Sequence, residues 1–439
     1  MAIKILIGGS PCTYWSIAQK NNRETEASGT GWELFKNYLI AKEKFKPDFF
    51  LYENNKSAAE AIKDQIAKEF GVGVDPNVRF TYINSALVSA QNRQRFYVTN
   101  FGDIEQPEDR GILLKDILET GDTDREKARA VISSAGRTTT REYFDKQQGT
   151  MAFEPVRIGC MPSPNGEIKN SQAKRIYAID GKSVNLVANG GGEGAKTGLY
   201  AIPVNPIGSG KSRTVTAGYA NKGANHILES NYSDNPNKQQ QQWDCVAEPV
   251  GYATPVEWDE NDKPTKAISY ADGKTYPVYE VKDGLITIKG KQYPIKLPDG
   301  YYIIRKLTTT ECARLQTMPD DYCKAVSDSQ AYKAIGNGWT AEVIIHLLNH
   351  ALKDVPRDEE IVVLSLYDGI ATGRYCLDKM GFTNVTYHAY EIDKYPIMVA
   401  MDNYPDIIQH GDAFAVREDD WKPPQTRSEW LDELLGGDL

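Results

Sequence analysis

Residues 3–12 read IKILIGGSPC. The β-branched positions Ile3, Ile5 and Ile7 predict a strand that stops at Gly8-Gly9, after which Pro11-Cys12 head a polar loop. Open α/β sheets bind their ligands where strands end, so a cysteine at this point is a candidate for chemistry. A buried cysteine is more often inert packing.

Working outward, residues 1–100 alternate strand and helix signals. GWELFKNYLIAKEKF (31–45) reads as a helix and DFFLY (48–52) as a strand. A helix is then predicted from the capping box Ser57-x-x-Glu60, followed by strands RFTYI (79–83) and RFYVTN (95–100). From about 130 to 300 the texture turns to Gly, Asn, Pro, Ser and Gln, with a QQQQ tract at 239–242. Two stretches there, from 181 and from 210, share G-K-S, a short β-prone run and a glycine-rich basic loop, which predicts paired hairpin-like elements. The GSGKS at 208–212 is not a P-loop, because Asn205 stands where that pattern needs its first glycine.

After 300 the α/β texture returns, with capping boxes Thr308-x-x-Glu311 and Ser327-x-x-Gln330 and the amphipathic WTAEVIIHLLNHAL (339–352). The expected fold is α/β, a doubly wound and mostly parallel, Rossmann-like sheet carrying an inserted loop-rich β domain. Its parts are 1–130, the insert 131–300, and 301–439.

The net charge is −9, but residues 351–439 alone hold 18 acidic and 8 basic side chains, while 171–230 hold 7 basic and 3 acidic. A locally basic middle is compatible with a DNA-facing surface. The six cysteines form no C-x-x-C pair, so neither disulfides nor structural zinc are expected. His346 and His350 lie four apart without the glutamate of a metalloprotease helix, and no metal is expected. No apolar run is long enough to cross a bilayer, which predicts a cytoplasmic protein without membrane contact.

Two constellations carry chemistry. Tyr367, Asp368, Gly369, Ile370, Ala371, Thr372 and Gly373 form a glycine turn between a strand and a helix. Glu391 ends the next strand, as a ribose-binding acid does, and Asp412 follows the third, placed to accept a hydrogen bond from an adenine amino group. The triple-glycine dinucleotide pattern is missing, which disfavours NAD and leaves a smaller adenosyl ligand. The second constellation is Cys12, Glu53 in LYENN, and Gln91, Arg93 and Arg95 in QNRQR, all at strand ends.

GGSPC, ENN and QNRQR resemble the Pro-Cys, Glu-Asn and Gln-x-Arg-x-Arg motifs of DNA (cytosine-5)-methyltransferases. RKLTTTECARLQTMPDDY (305–322) and AIGNGWTAEVI (334–344) resemble their closing motifs, and LSLYDGIATG (364–373) their S-adenosylmethionine loop. The resemblance implies that Cys12 adds to C6 of cytosine, that Glu53 donates at N3, that Arg95 steadies both base and acid, and that Arg93 with Arg95 favours the thiolate. It implies S-adenosylmethionine, released as S-adenosylhomocysteine, held by Tyr367, Asp368, Gly369, Ile370, Thr372, Gly373, Glu391, Ile392, Asp412, Ala413, Pro11, Asn337 and Trp339. It also implies a monomer acting on double-stranded DNA, with a flipped-out target base. The loop Thr13 to Gly31 becomes a lid, the insert becomes the target-recognition domain, and Ser16, Gln91, Lys182, Lys196, Lys211 and Arg213 become DNA contacts.

The order of motifs is unusual, since the cofactor motifs come last, and the chain reads as circularly permuted. Asn55 stands where the family usually has an apolar residue, and Thr13-Tyr14-Trp15 replace the commoner Gln-x-Phe. The alternatives are a catalytically silent DNA-binding paralogue and an RNA cytosine-5 methyltransferase.

Overall fold

The structure, a computed structural model, describes residues 2–16, 23–156, 176–178, 199–202, 213–215, 253–261 and 263–417. Its centre is a seven-stranded sheet built from β1 (Ile3–Gly8), β2 (Phe49–Asn55), β3 (Arg79–Asn84), β4 (Gln94–Thr99), β5 (Ile361–Leu366), β6 (Val385–Tyr390) and β7 (Ile408–Gln409). The strand order is β7-β6-β5-β1-β2-β4-β3. The pairings from β7 through β2 are parallel, whereas β4 runs antiparallel to both its neighbours. That matches the expected mostly parallel α/β sheet.

The first strand therefore lies inside the sheet. Ile3 pairs with Ile361 and Gly8 with Leu366 on one side, while Gly8 pairs with Tyr52 on the other. Alternation in β1 and β5 serves two cores, because a strand covered on both faces is apolar at nearly every position. Ile5, Ile7, Ile361 and Val363 face one core, with Leu347 and Leu377; Leu6, Val362 and Leu364 face the other, with Phe35 and Tyr38. All six residues of β5 are buried.

The flanking helices are α1 (Gly29–Phe45), α2 (Glu60–Phe70), α3 (Thr309–Leu315), α4 (Asp328–Asn337), α5 (Ala341–Leu352), α6 (Thr372–Lys379) and α7 (Lys394–Asn403). Thr308 caps α3 with a full capping box, as its sequence predicts. Ser57 does not cap α2: the helix starts at Glu60 behind Ala59, and no side chain caps it. Ser57 is engaged elsewhere, its N–H donating to Asn55 Oδ1 and its carbonyl accepting from Arg23. Ser327 stands at the N-cap of α4, but its side chain makes no capping bond.

A second, antiparallel sheet runs through 254–258, 264–268, 275–282, 285–288 and 291–294, with 300–306 bridging 275–282 and 151–155. It has its own apolar cluster of Tyr143, Met151, Phe153, Val281, Ile286 and Tyr302. Its root is a buried ion cluster. Arg305 donates from both terminal nitrogens to Glu311 at 2.8 Å and from Nε to Glu154, and all three side chains are 0% exposed. Short strands 176–178, 199–202 and 213–215 form a third sheet. Arg213 is on the last of these, whereas Lys182, Lys196, Lys211 and the QQQQ tract lie outside the described residues. Among the described residues no helix is long and apolar enough to cross a membrane.

Candidate active site

Both constellations lie at the same edge of the central sheet. The parallel strands β1, β2, β5, β6 and β7 deliver Cys12, Glu53, the glycine turn, Glu391 and Asp412 from their C-terminal ends, and antiparallel β4 delivers Arg95 from its start. Asn55 pairs with Arg95, and Glu53 with Tyr97. This is where a doubly wound sheet opens a crevice.

Cys12 opens a single helical turn and is half-buried. The other described cysteines, Cys312, Cys323 and Cys376, are buried, and burial pushes each thiol upward, Cys323 to about 12. They are inert packing, and Cys12 is the described cysteine open to a ligand.

The cysteine loop is held from below by a buried polar cluster. Ser10 Oγ is 2.7 Å from the Tyr52 hydroxyl, and Asn54 Nδ2 donates to the Ser10 carbonyl at 2.8 Å. Gly9 has no room for a side chain, because a Cβ there would fall 2.4 Å from the Glu53 carbonyl oxygen and 3.1 Å from Glu53 Oε2. The double glycine is therefore what lets the cysteine loop approach the acid. Trp15 is fully buried, and its indole donates to Glu24, which in turn accepts from Gly31 N. Asn55 reaches Ser16 Oγ at 3.4 Å, so the polar residue at that position ties the end of β2 to the loop. Residues 17–22 of the expected lid lie outside the described residues.

Glu53 is 9% exposed and gripped from two sides. Its Oε1 lies 2.8 Å from Arg95 Nε, and its Oε2 accepts from Trp339 Nε1 at 3.0 Å. The sequence pairs Glu53 with Arg95 but sets Trp339 against the cofactor; its indole N–H instead meets the acid.

Arg93 also braces the site. It is buried, and its guanidinium donates to the carbonyls of Val131 at 2.7 Å, Gly338 at 2.8 Å and Gly336 at 3.3 Å. Burial, then the charge of Arg95, lowers its pKa to about 10, against the opposing pull of Glu53 and Cys12. With its donors committed to backbone, it is a strut of the site. Gln91 also departs from expectation. It is 0% exposed, its amide nitrogen donates to Leu315 O and Gln316 Oε1, and its oxygen accepts from Val131 N, so nothing of it faces a DNA backbone.

On the other side of the crevice, Tyr367 and Ala371 both take left-handed backbone angles, φ +59, and Gly369 takes φ +65 with open space where a Cβ would stand. The turn is pinned to distant parts. Tyr367 donates to Leu34 O at 2.8 Å and accepts from Asn37, which also receives Arg417 Nε. Glu391 Oε2 accepts from Gly369 N at 2.9 Å, and its Oε1 accepts from Ile392 N and Asp393 N. Asp412 is exposed, its Oδ1 accepting from Phe414 N, and Ala413 is buried. Gly373 packs α6 on the sheet, since a Cβ there would meet Ile7 Cδ1 at 2.2 Å. Thr372 and Ile370 are buried, Pro11 is half-buried and Asn337 is exposed.

Two features fit this side to an adenosyl amino acid. Asp368 is half-buried, with Oδ1 accepting from Ser365 and Tyr387 at 2.7 Å each, while its Oδ2 is shielded from solvent without a hydrogen-bond partner, an acceptor left for an ammonium group. Ile392, directly after Glu391, is 71% exposed, an apolar side chain left for a flat ring to cover.

Comparison with known proteins agrees with this geometry. The family described as C-5 cytosine-specific DNA methylase matches residues 1–176 and 204–353. The orphan methyltransferase M.SPRI of Bacillus phage SPR is 25% identical over 77% of this chain and 80% of its own. The type II methyltransferase M.HhaI of Haemophilus parahaemolyticus is 27% identical over 45% of this chain and 59% of its own. Among solved structures, the Entamoeba histolytica methyltransferase EhMeth aligns with 80% of this chain and 78% of its own at 10% identity, with a TM-score of 0.33, too slight a likeness to argue from. The family match over most of its length makes this chain a member of the C-5 cytosine-specific DNA methylases, enzymes that transfer a methyl group from S-adenosylmethionine.

Proposed function

We propose that the protein methylates C5 of a flipped-out cytosine in double-stranded DNA through a covalent Cys12 adduct. The observation that carries this reading is the pairing of an accessible cysteine with a carboxylate oriented by two donors at one strand-end crevice. C5 of cytosine is a weak nucleophile. Addition of the Cys12 thiolate to C6, with Glu53 holding a proton at N3, turns the C5–C6 bond into an enamine. S-adenosylmethionine supplies an electrophilic methyl group. After transfer, C5 loses its proton to a base and the C6–S bond breaks, returning the thiolate and aromatic 5-methylcytosine.

On this reading Glu391 holds the ribose, Asp412 the adenine amino group, Tyr367 and Ile392 the faces of the adenine, and Asp368 the methionine ammonium. The second sheet, together with the segment from 157 to 252, forms the target-recognition domain between catalytic parts 1–130 and 301–439. Lys182, Lys196, Lys211 and Arg213 supply phosphate contacts there, and Ser16 another at the loop. Relatives from a phage and a bacterium fit action in a bacterial cytoplasm, within restriction-modification or phage self-protection. We also read the chain as circularly permuted: the family match ends at residue 353, while the strands that hold the cofactor turn follow at 361.

The test is a duplex carrying 5-fluorocytosine at the target, alongside an RNA of the same sequence. Fluorine cannot leave as a proton, so the wild type should be trapped as a denaturation-resistant adduct on DNA, and Cys12→Ser should not. Trapping on RNA alone would shift the substrate to the alternative polymer, and trapping by Cys12→Ser would end the covalent reading.

A further inference from the structure

We infer that Trp339 is a positioning residue for Glu53: its indole N–H fixes the carboxylate that holds N3 of the target base, and so acts on base activation more than on cofactor binding. The inference rests on the role proposed for Glu53. A carboxylate held by one cation alone can swing about that contact. Glu53 is held at both oxygens, by Arg95 at 2.8 Å and Trp339 at 3.0 Å, which fixes the plane of the carboxyl group.

The donor is itself immobilised. The Gly338 carbonyl, one peptide before Trp339, accepts from Arg93 at 2.8 Å and from Gln316 at 3.1 Å. On the far side, Thr340 Oγ1 donates to Gln316 Oε1 at 2.9 Å and lies 2.8 Å from Ser85 Oγ, and Ala341 N donates to Gln316 O. Gln316, Thr340 and Arg93 are buried. The backbone carrying the indole is thus clamped before and after residue 339, and an N–H aimed this way costs no reorganisation when the base arrives.

The position also links two sites. A Cβ on Gly338 would stand 3.6 Å from Ile370 Cδ1, so the segment touches the cofactor turn while its indole reaches the acid on β2. From sequence alone Trp339 belongs to the cofactor wall. The ring can still serve that wall, but the one polar group it owns is spent on Glu53.

The experiment uses the full chain, with Trp339→Phe, Glu53→Gln and the double variant. Exchange of the C5 hydrogen of the target cytosine with solvent is followed in the absence of cofactor, and S-adenosylmethionine affinity is measured separately by calorimetry. Exchange needs addition at C6 and proton transfer at C5 but no methyl donor, so a mere wall of the cofactor pocket would not affect it. Trp339→Phe should slow exchange and kcat by tenfold or more, change cofactor affinity less than threefold, and add less than twofold to the Glu53→Gln defect. If Trp339→Phe does not fold, benzothienylalanine at 339 keeps the ring shape and removes only the N–H, and the same slowing is expected. Normal exchange with weakened cofactor binding, while Glu53→Gln is slow, overturns this inference alone. Normal exchange by Glu53→Gln overturns the proposed role of Glu53 and this inference with it.

Discussion

Glu53 and Arg95 meet diagonally across paired strands, Oε1 to Nε at 2.8 Å, with side chains 12% and 11% exposed. An ion pair this far out of water stands by mutual compensation, and removing one partner leaves the other charge buried. Arg95→Met is expected to lower methyl transfer at least a hundredfold and to destabilise the fold by about 1–3 kcal/mol. Urea unfolding and single-turnover methylation check the two effects. Full activity in Arg95→Met would mean that Glu53 needs no cation.

Asp368 predicts a pH dependence. Burial is the main cause that raises its carboxyl from 3.8 to about 6, with the charge of Glu391 adding and the bonds from Tyr387 and Ser365 opposing. Between these values the folded chain binds a proton that the unfolded chain has lost, so this group makes stability fall as pH rises through the window. Above pH 6 the full cost remains, on the order of 2–3 kcal/mol. His388, lowered by burial to about 4, works in the opposite sense over an overlapping window. The prediction is therefore a difference: Asp368→Asn should melt higher than wild type at pH 7.5 without cofactor, the gap closing toward pH 4, and should bind S-adenosylmethionine more weakly. A gap independent of pH would mean that Asp368 is not the titrating group.

Arg305 is the structural counterpart, a cation shared by Glu154 of the second sheet and Glu311 of α3, all fully buried. Arg305→Met leaves two carboxylates without their partner and is expected to cost about 3–5 kcal/mol, read as a fall in the urea midpoint. Glu154→Gln, which keeps the shape and removes one charge, should cost far less. Equal losses in the two variants would show that the cluster matters by packing and not by charge.

These cases show where sequence reading reaches. That Cys12, Glu53, Arg95, Asp368 and Glu391 gather at one edge of the sheet was legible because each lies at or beside the end of a β-prone run, and strand ends are where such sheets gather chemistry. Gln91 reads as a DNA contact because it opens the polar stretch QNRQR, but its amide is matched by Leu315, Gln316 and Val131, partners remote in sequence. Trp339 and Glu53 likewise meet only through the fold. Local pattern signals an element's face and its ends, whereas such pairings depend on which elements become neighbours. The Ser57 capping box failed for a smaller reason: Asn55 and Arg23 compete for its backbone and delay the helix to Glu60.

The last prediction joins chain order to stability. β1 is interior because β5 covers one of its edges, from Ile3 opposite Ile361 to Gly8 opposite Leu366. Deleting 354–439 removes β5, β6 and β7, leaving β1 with an unpaired apolar edge and uncovering Leu6, which packs with Val362 and Leu364. That fragment should be insoluble or lack a cooperative thermal transition. Placing 354–439 ahead of residue 1 through a flexible linker restores the same neighbours in a different order. The rearranged chain should fold, bind S-adenosylmethionine and melt within a few degrees of wild type, because the sheet depends on which strands lie side by side and only weakly on the loop that joins them. A cooperative melt by the deleted fragment would show that the N-terminal strands form a unit of their own.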